Sequence, residues 1–472
     1  MSALRTLPLT ALIDPDLLDD ARKRLDPFYY CNVRSLPKIE SELVLLKDIC
    51  NINPKREIKE LANDAPVPYV GLPDTDVHTA AIRTIQYRSY EKVKGRNIIF
   101  EDDVLFARIE PSIYNRKYIY VDKLPHKQKY AFTSGEFHVL EAKPGVNPKY
   151  VFWIIRTDFV YNQVFGRVKG TTGRRRVDKS ELELFRIPFP SPEIREKLVN
   201  TMETAHSEKT EKMKKSRELI EGISAFVLEQ LGLKLQSARM TISFWVNVQE
   251  NSQSRLDVKY YDSRYSKLLN AIQSSHYEVQ SLKQISKAIL TGQRPKGGVK
   301  YIHDGVPSVG GEHITSEGDF NFEHIRYIPK NFHHKLKNSS IRSSDILVVK
   351  DGATTGKVAI VSEHYPFKES NINEHVFKIE IKECYNPYYV FSYLFSSLGQ
   401  EQIKRVISGA AQKGITRQAI ENLKIIVPPS EIQDRIGKQV KNSKENSSML
   451  QQEAQEVAER AKYQVEKMIV GP

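Results

Sequence analysis

Cysteine is nearly absent from this 472-residue chain. Cys31, Cys50 and Cys384 form an odd, scattered set without CxxC spacing, which argues against a disulfide framework or a cysteine-based zinc site and for a reducing compartment. Long apolar runs are missing too: none approaches the roughly 18 residues a membrane helix needs. The opening "MSALRTLPLTALIDPDLLDD" lacks a basic start, a long apolar stretch and a small-residue cleavage site. No secretion signal is therefore expected, no membrane contact, and a cytoplasmic location. No GxGxxG follows a strand-like run, which removes a doubly wound nucleotide-binding sheet, and no NPPF/Y-type methyltransferase tetrapeptide occurs. The twelve histidines show no HExxH or paired ligand spacing, so neither a metal nor a cofactor is expected, and His333–His334 read as a solvated pair.

Two fragments come close to catalytic motifs and fall short. "DGATTGKVAI" (Asp351–Ile360) has three residues between Gly352 and Gly356 where a phosphate-binding loop has four. Val358 also stands where such a loop needs a metal-binding hydroxyl, so a strand-flanking turn is expected. Asp345, Asp351 and "EIK" (Glu380–Lys382) could be stretched into a nuclease triad, but such fragments recur by chance in charged chains. The sequence reads as a binding and scaffolding protein, with no catalytic residues.

What is abundant is positive charge. Lys and Arg number 71 against 58 Asp and Glu, a formal charge of +13, while 40% apolar and 27% charged residues mark an ordinary folded composition. Such a field suits a polyanionic partner.

The chain also repeats itself. "RLDPFYY" from Arg24 returns as "RLDVKYY" from Arg255, and "PYVG" ending at Gly71 returns as "PSVG" ending at Gly310. Asp103 in "DDVLFARI" matches Asp345 in "SDILVVKD", and Tyr150 in "PKYVFWII" matches Tyr389 in "PYYVFSYL". Ile194 in "RIPFPSPEIREKL" matches Ile432 in "KIIVPPSEIQDRI". Five anchors in one order, at a spacing of about 240 residues, indicate an internal duplication. Each half predicts short strands ("VPYVGL", "NIIFEDDVLFARI", "KYIYVDKL", "EFHVLEAK", and their counterparts), a helical stretch from "NP", then one long helix.

The long segments Ser191–Leu233 and Ser430–Ile469 contain no proline beyond Pro192, which suits a first helical turn. In the first, Ile194, Leu198, Met202 and Ala205 form an apolar stripe resumed at Leu219, Ile223 and Phe226. In the second, Ile436, Val440, Ser443, Ser447, Leu450, Ala454, Val457, Ala461, Gln464 and Met468 step by four and three, a heptad seam with polar interruptions. About 40 residues give helices on the order of 60 Å long, narrow-striped enough to need a partner. Two globular units held by paired helices follow.

Between each globular unit and its long helix lies a basic junction: "GTTGRRRVDKS" in the first half and "GAAQKGITRQ" in the second. Lys169, Arg174, Arg175, Arg176 and Lys179 crowd the first; Lys404, Arg405, Lys413 and Arg417 surround the second. Glycines at 170, 173, 409 and 414 let backbone N–H groups approach a phosphate, and Thr171 and Thr172 add hydroxyls that Ala410 and Ala411 cannot. Arginine offers a two-pronged donor to phosphate or a guanine edge. The plain alternative is a solvated helix-entry loop with counter-charges. Lys296–Lys300 and Tyr114–Tyr120 are further candidates for base contact.

The doubled order of these motifs resembles the DNA specificity subunit of type I restriction–modification enzymes over nearly the whole chain. The resemblance implies an α+β fold of two tandem α/β target-recognition domains separated by two long helices pairing as an antiparallel coiled coil. Its limits would be 1–190 for the first target-recognition domain, 191–235 for the central helix, 236–429 for a linker and second target-recognition domain, and 430–472 for the C-terminal helix. It further implies that each domain reads half of a gapped double-stranded DNA target and that the helices set the gap. By the same resemblance the chain has no catalysis of its own, holds two methyltransferase (modification) subunits through Glu193–Leu231 and Glu431–Met468, and recruits restriction/translocase subunits. Unequal halves suit an asymmetric target, since identical readers on a two-fold would predict a palindrome. The competing expectation is a stand-alone two-domain DNA-binding protein of another phage-defence assembly; a nuclease ranks third.

Overall fold

A computed structural model of the chain describes residues 39, 41–165, 167–171, 175–234, 258–295, 300–409 and 413–470. The segments "RLDPFYY" and "DPDLLDDARKRLD", the start of "RLDVKYY", the loop residues 296–299, Thr172 and Arg174 lie outside those residues. The chain divides into two compact units, residues 1–212 with 452–472 and residues 213–451.

In the first unit, strands Cys50–Ile52, Phe137–Ala142, Val104–Ala107 and Tyr118–Tyr120 form an antiparallel sheet in that order. The run Val104-Leu105-Phe106-Ala107 is apolar without a break because both faces are covered. Val104 and Phe106 pack with Tyr118, Tyr150 and Phe185, while Leu105 and Ala107 pack with Val70, Ile119 and Val139 in a separate core. A second sheet runs Gln86–Ser89, Pro66–Val70, Ala131–Thr133, Ile98–Ile99, with one parallel pair at its centre.

The second unit repeats this plan. Strands Ser286–Thr291, Val376–Ile381, Ile346–Val349 and Val358–Ile360 form the antiparallel sheet. Ile346 and Val348 face one core and Leu347 and Val349 the other. Arg326–Ile328, Val306–Val309 and Asn371–Ile372 form the smaller sheet, again with a parallel pair. The stretch 350–357 is the turn between two antiparallel strands, as the imperfect phosphate-loop motif led us to expect.

The same local devices hold both units. Asn147 and Asn386 cap the helices Pro148–Ile154 and Pro387–Phe395, each with proline in the first turn, a cap worth about 1 kcal/mol. Tyr150 donates its hydroxyl to the Pro188 carbonyl, and Tyr389 to that of Ile426. Gln163 Nε2 donates to the Arg186 carbonyl at 2.8 Å while its Oε1 accepts the Arg186 N–H at 2.8 Å. Gln402 makes the same two-way clamp on Lys424, at 2.9 and 2.8 Å. These tie the junction strands Arg186–Pro188 and Lys424–Val427 to the core just before each long helix begins.

The long helices span Pro192–Gln230 and Ser430–Val470. They pair antiparallel. In the first unit Lys212 meets Glu453 at 2.6 Å, and Glu193–Glu208 line one groove with Val457–Gln464. In the second, Ser216 Oγ lies 2.8 Å from Ser447 Oγ, both buried, and Gln451 donates to Ser216. The seam drifts from the expected heptad. Gln464 is exposed and Met468 only half-buried, whereas Val465 and Ile469 are buried in the first unit's core. Ile194 is 38% exposed, and Ile220 and Val227 are buried more deeply than Leu219 and Phe226. The cause is that the helix ends pack on globular cores: Ile436 and Val440 join the second unit's core as Val465 and Ile469 join the first. There a 3.6-residue period, rather than a strict heptad, sets which residues are buried.

Candidate nucleic-acid interface

Most of the basic junction residues hold carboxylates. Lys169 Nζ lies 2.8 Å from Glu181, a carboxylate only 2% exposed that also holds the buried Arg167. Arg175 approaches Glu110 at 3.9 Å, and Arg176 grips Glu136 with two bonds of 3.0 and 2.7 Å. The Arg176 guanidinium holds the Glu136 carboxyl below its ordinary range. Lys179 pairs with Glu183, Lys404 with Glu401 and Arg417 with Glu421. Arg405 donates to the Tyr260 carbonyl at 3.1 Å and stacks 4.0 Å over that tyrosine's ring. Thr171 and Lys413 are exposed, and among the described residues no carboxylate pairs with Lys413. Counter-charges therefore stand beside Lys169, Arg175, Arg176, Lys179, Lys404 and Arg417.

These pairs differ in how readily they would open to a phosphate. Exposed pairs such as Lys179–Glu183 and Lys404–Glu401 contribute about 0–1 kcal/mol, so exchange for a DNA phosphate costs little. Lys169 is harder to release, because its departure leaves buried Glu181 with fewer donors.

The first junction is fastened to the sheet. Glu110 N–H donates to the Arg175 carbonyl at 3.1 Å and Val177 N–H to that of Arg108 at 3.0 Å. Beneath them the His138 ring, 1% exposed, reaches the Val177 carbonyl through Nε2 at 2.9 Å and Asn53 through Nδ1 at 3.0 Å. Asn53 Oδ1 accepts both the Val139 N–H and the Asn97 amide, so its Nδ2 must donate to the ring. The ring is thus neutral with its proton on Nε2. Burial pushes its pKa down to about 4.

Other sequence candidates fall elsewhere. Within Tyr114–Tyr120, Tyr118 is buried, Tyr114 stacks on Phe165, Tyr120 bonds Asp102 and Arg116 pairs with Asp158. Lys300 is exposed. Asp345 and Glu380 are bridged by buried Lys378, at 3.6 and 2.7 Å, and Lys382 donates to the Gln284 carbonyl. That arrangement is an internal ion network, and burial raises the Asp345 carboxyl to about 6. His333 departs from expectation: it is 6% exposed in the short helix Lys330–Lys335, while His334 faces solvent. The helix sends its two neighbouring side chains to different sides.

Sequence reasoning passed over the edge strands of the two smaller sheets. On Gln86–Ser89, exposed Arg88 stacks 3.7 Å over Tyr69 and donates to Gln86 at 3.1 Å; on Arg326–Ile328, exposed Arg326 lies 5.4 Å over Tyr301. Among the described residues neither arginine has a carboxylate within ion-pair reach. The available signal was "QYRS" and "RYIP" at matching places between the repeat anchors, with Tyr87 paired to Pro68 and Tyr327 to Pro307.

Comparison with known proteins accords with this duplicated plan. Among the described residues no helix is long and apolar enough to cross a membrane. The type I restriction enzyme EcoEI specificity subunit of Escherichia coli is 26% identical over 164 residues, 34% of this chain. That match spans only 27% of the relative's length. Two solved structures align over most of both chains. The HsdS subunit from Thermoanaerobacter tengcongensis has 16% identity, coverage of 91% of this chain and 96% of that one, and a TM-score of 0.34. The type I restriction-modification S subunit from M. genitalium has 14% identity, the same coverage, and a TM-score of 0.46. The family described as "Type I restriction modification DNA specificity domain" matches this chain twice, over residues 38–222 and 274–459. With both halves of its repeat matched, the chain belongs to the type I restriction–modification DNA specificity family.

Proposed function

We propose that this chain is a non-catalytic specificity subunit that reads a bipartite, gapped sequence in double-stranded DNA. Each unit reads one half-site, and the paired helices fix the spacing that becomes the gap. The same helices scaffold two adenine methyltransferase subunits, to which restriction/translocase subunits are recruited, in the cytoplasm. The observation that carries this reading is the duplication: two units sharing one four-stranded antiparallel sheet order and the same glutamine and tyrosine clamps, with the family matched once in each half of the sequence. Tethering makes the second half-site contact intramolecular, which multiplies specificity without a larger interface on either unit. The charge of +13 supports affinity for the phosphate backbone. Within this reading the junction residues, Lys413 and the exposed pairs foremost, supply backbone contacts.

The test is selection from a randomised duplex DNA library by the full-length chain, isolated from its source cell with whatever co-purifies. Two short conserved elements at a fixed separation are expected. Enrichment of one uninterrupted element would favour a different DNA-binding role, and no enrichment would remove DNA reading altogether.

A further inference from the structure

The edge strands of the two smaller sheets carry exposed polar side chains with hydrogen-bonding capacity to spare. Gln86 and Arg326 occupy the same place in the repeat. Gln86 pairs in register with Tyr69 in "VPYVG", and Arg326 with Ser308 in "VPSVG". Both are exposed on an outermost strand.

Their hydrogen-bonding faces differ. The Gln86 amide is held from behind: Nε2 donates to Asp74 at 2.9 Å and Oε1 accepts from Arg88 at 3.1 Å. Asp74 in turn accepts the Gly71 N–H at 2.8 Å and the Thr84 hydroxyl at 3.2 Å, so the amide plane is fixed. One N–H and one carbonyl lone pair remain to face outward. That is a donor beside an acceptor, the complement of adenine's N7 and N6 in the major groove. Arg326 offers only donors. Its guanidinium carbon lies 5.4 Å from the Tyr301 ring centroid, a cation–π contact, and a guanidinium's paired N–H groups complement guanine's O6 and N7. Arg88, stacked on Tyr69, acts through Gln86 as a positioning residue.

The two arginine–tyrosine contacts stand at different registers, since Arg326 aligns with Gln86 and Arg88 with Ile328. In the first unit the ring comes from Tyr69 on the neighbouring strand; in the second Ser308 stands at that register, and Tyr301 supplies the ring from the preceding segment. Six junction cations hold carboxylates, whereas among the described residues Arg326 pairs with none, so its donors are open to a ligand.

We propose that the edge strands Gln86–Ser89 and Arg326–Ile328 enter the DNA major groove, with Gln86 reading an adenine in one half-site and Arg326 a guanine in the other. This rests on the DNA-specificity reading above. The experiment is the same duplex-library selection, run with the wild-type chain and with Gln86→Ala, Arg326→Ala and Arg326→Gln. Arg326→Ala should lose discrimination at one guanine of one half-site by roughly ten- to a hundredfold and leave the other half-site intact. Gln86→Ala should do the same at one adenine of the opposite half, and Arg326→Gln should turn the guanine preference toward adenine. Should Arg326→Ala be recovered poorly, Arg326→Gln decides alone. A wild-type chain that selects a gapped motif, with all variants selecting it unchanged, would overturn this inference and leave the specificity reading standing. So would uniform loss of the whole motif at unchanged soluble yield, which would make these side chains general affinity contacts. A wild-type chain that selects nothing would remove both.

Discussion

Lowering the pH should loosen the first unit through one buried ring. His138 is pushed from its ordinary 6.5 to about 4, because burial disfavours the imidazolium. Protonation would also place a second donor against the Asn53 amide, which already donates to Nδ1. Between pH 6.5 and 4 the native state therefore binds fewer protons at this site than the unfolded chain, so stability rises with pH across that window. The contribution is complete above about 6.5, declines as the pH falls, and levels off below about 4. At about 1.4 kcal/mol per pH unit the whole effect is about 3 kcal/mol, of which about 2 kcal/mol is lost between pH 7 and 5. His138→Gln retains a donor for the Val177 carbonyl and an acceptor for Asn53 but cannot titrate. Urea unfolding followed through buried Trp153, in a Trp245→Phe background, should show the wild type losing about 2 kcal/mol more than the variant over that interval. Parallel pH profiles for the two proteins would refute the reasoning.

Three other perturbations follow from the packing. Lys444, 7% exposed, donates to the carbonyls of Glu317 and Gly318 at 3.2 and 3.0 Å and pairs with Asp319 at 2.7 Å. Because Asp319 is half in solvent, Lys444→Ala should cost the second unit about 2–4 kcal/mol, read from chemical denaturation and from faster amide exchange near Gly318. Gln402→Ala strips the Lys424 N–H and carbonyl of their clamp and should cost about 3 kcal/mol, with Lys424 amide protection falling first. Ser216→Ala and Ser447→Ala should each destabilise by about 1 kcal/mol, but the double variant by less than their sum, because either single change already removes the one bond the two hydroxyls share. An additive double-mutant cycle would contradict a shared hydrogen bond.

The strands were legible where apolar runs met turn residues, and both "NP" helix starts were legible because Asn caps and Pro begins a helix. Other features left no local trace. Gln163 and Gln402 look like any polar residue in a helical stretch, and only the fold brings Arg186 and Lys424 to them. The junction arginines were visible as a charge run, but Glu110 and Glu136 reach them from distant sequence. Burial of Val465 and Ile469 rather than Gln464 could not be read from a heptad count, since the globular core, not the partner helix alone, decides that face. Gln86 and Arg326 were hidden by their isolation: a single exposed polar residue on a short strand has no period. Their signal lay in the repeat itself, which aligns the two strands without revealing the stacked rings.

The most direct measurement is a genome-wide map of N6-methyladenine in the source cell with this gene intact and deleted. The account predicts that deletion abolishes methylation at one gapped, two-part, asymmetric motif and leaves other methylated sequences untouched. An unchanged methylome, in a cell shown to express an active adenine methyltransferase, would contradict it.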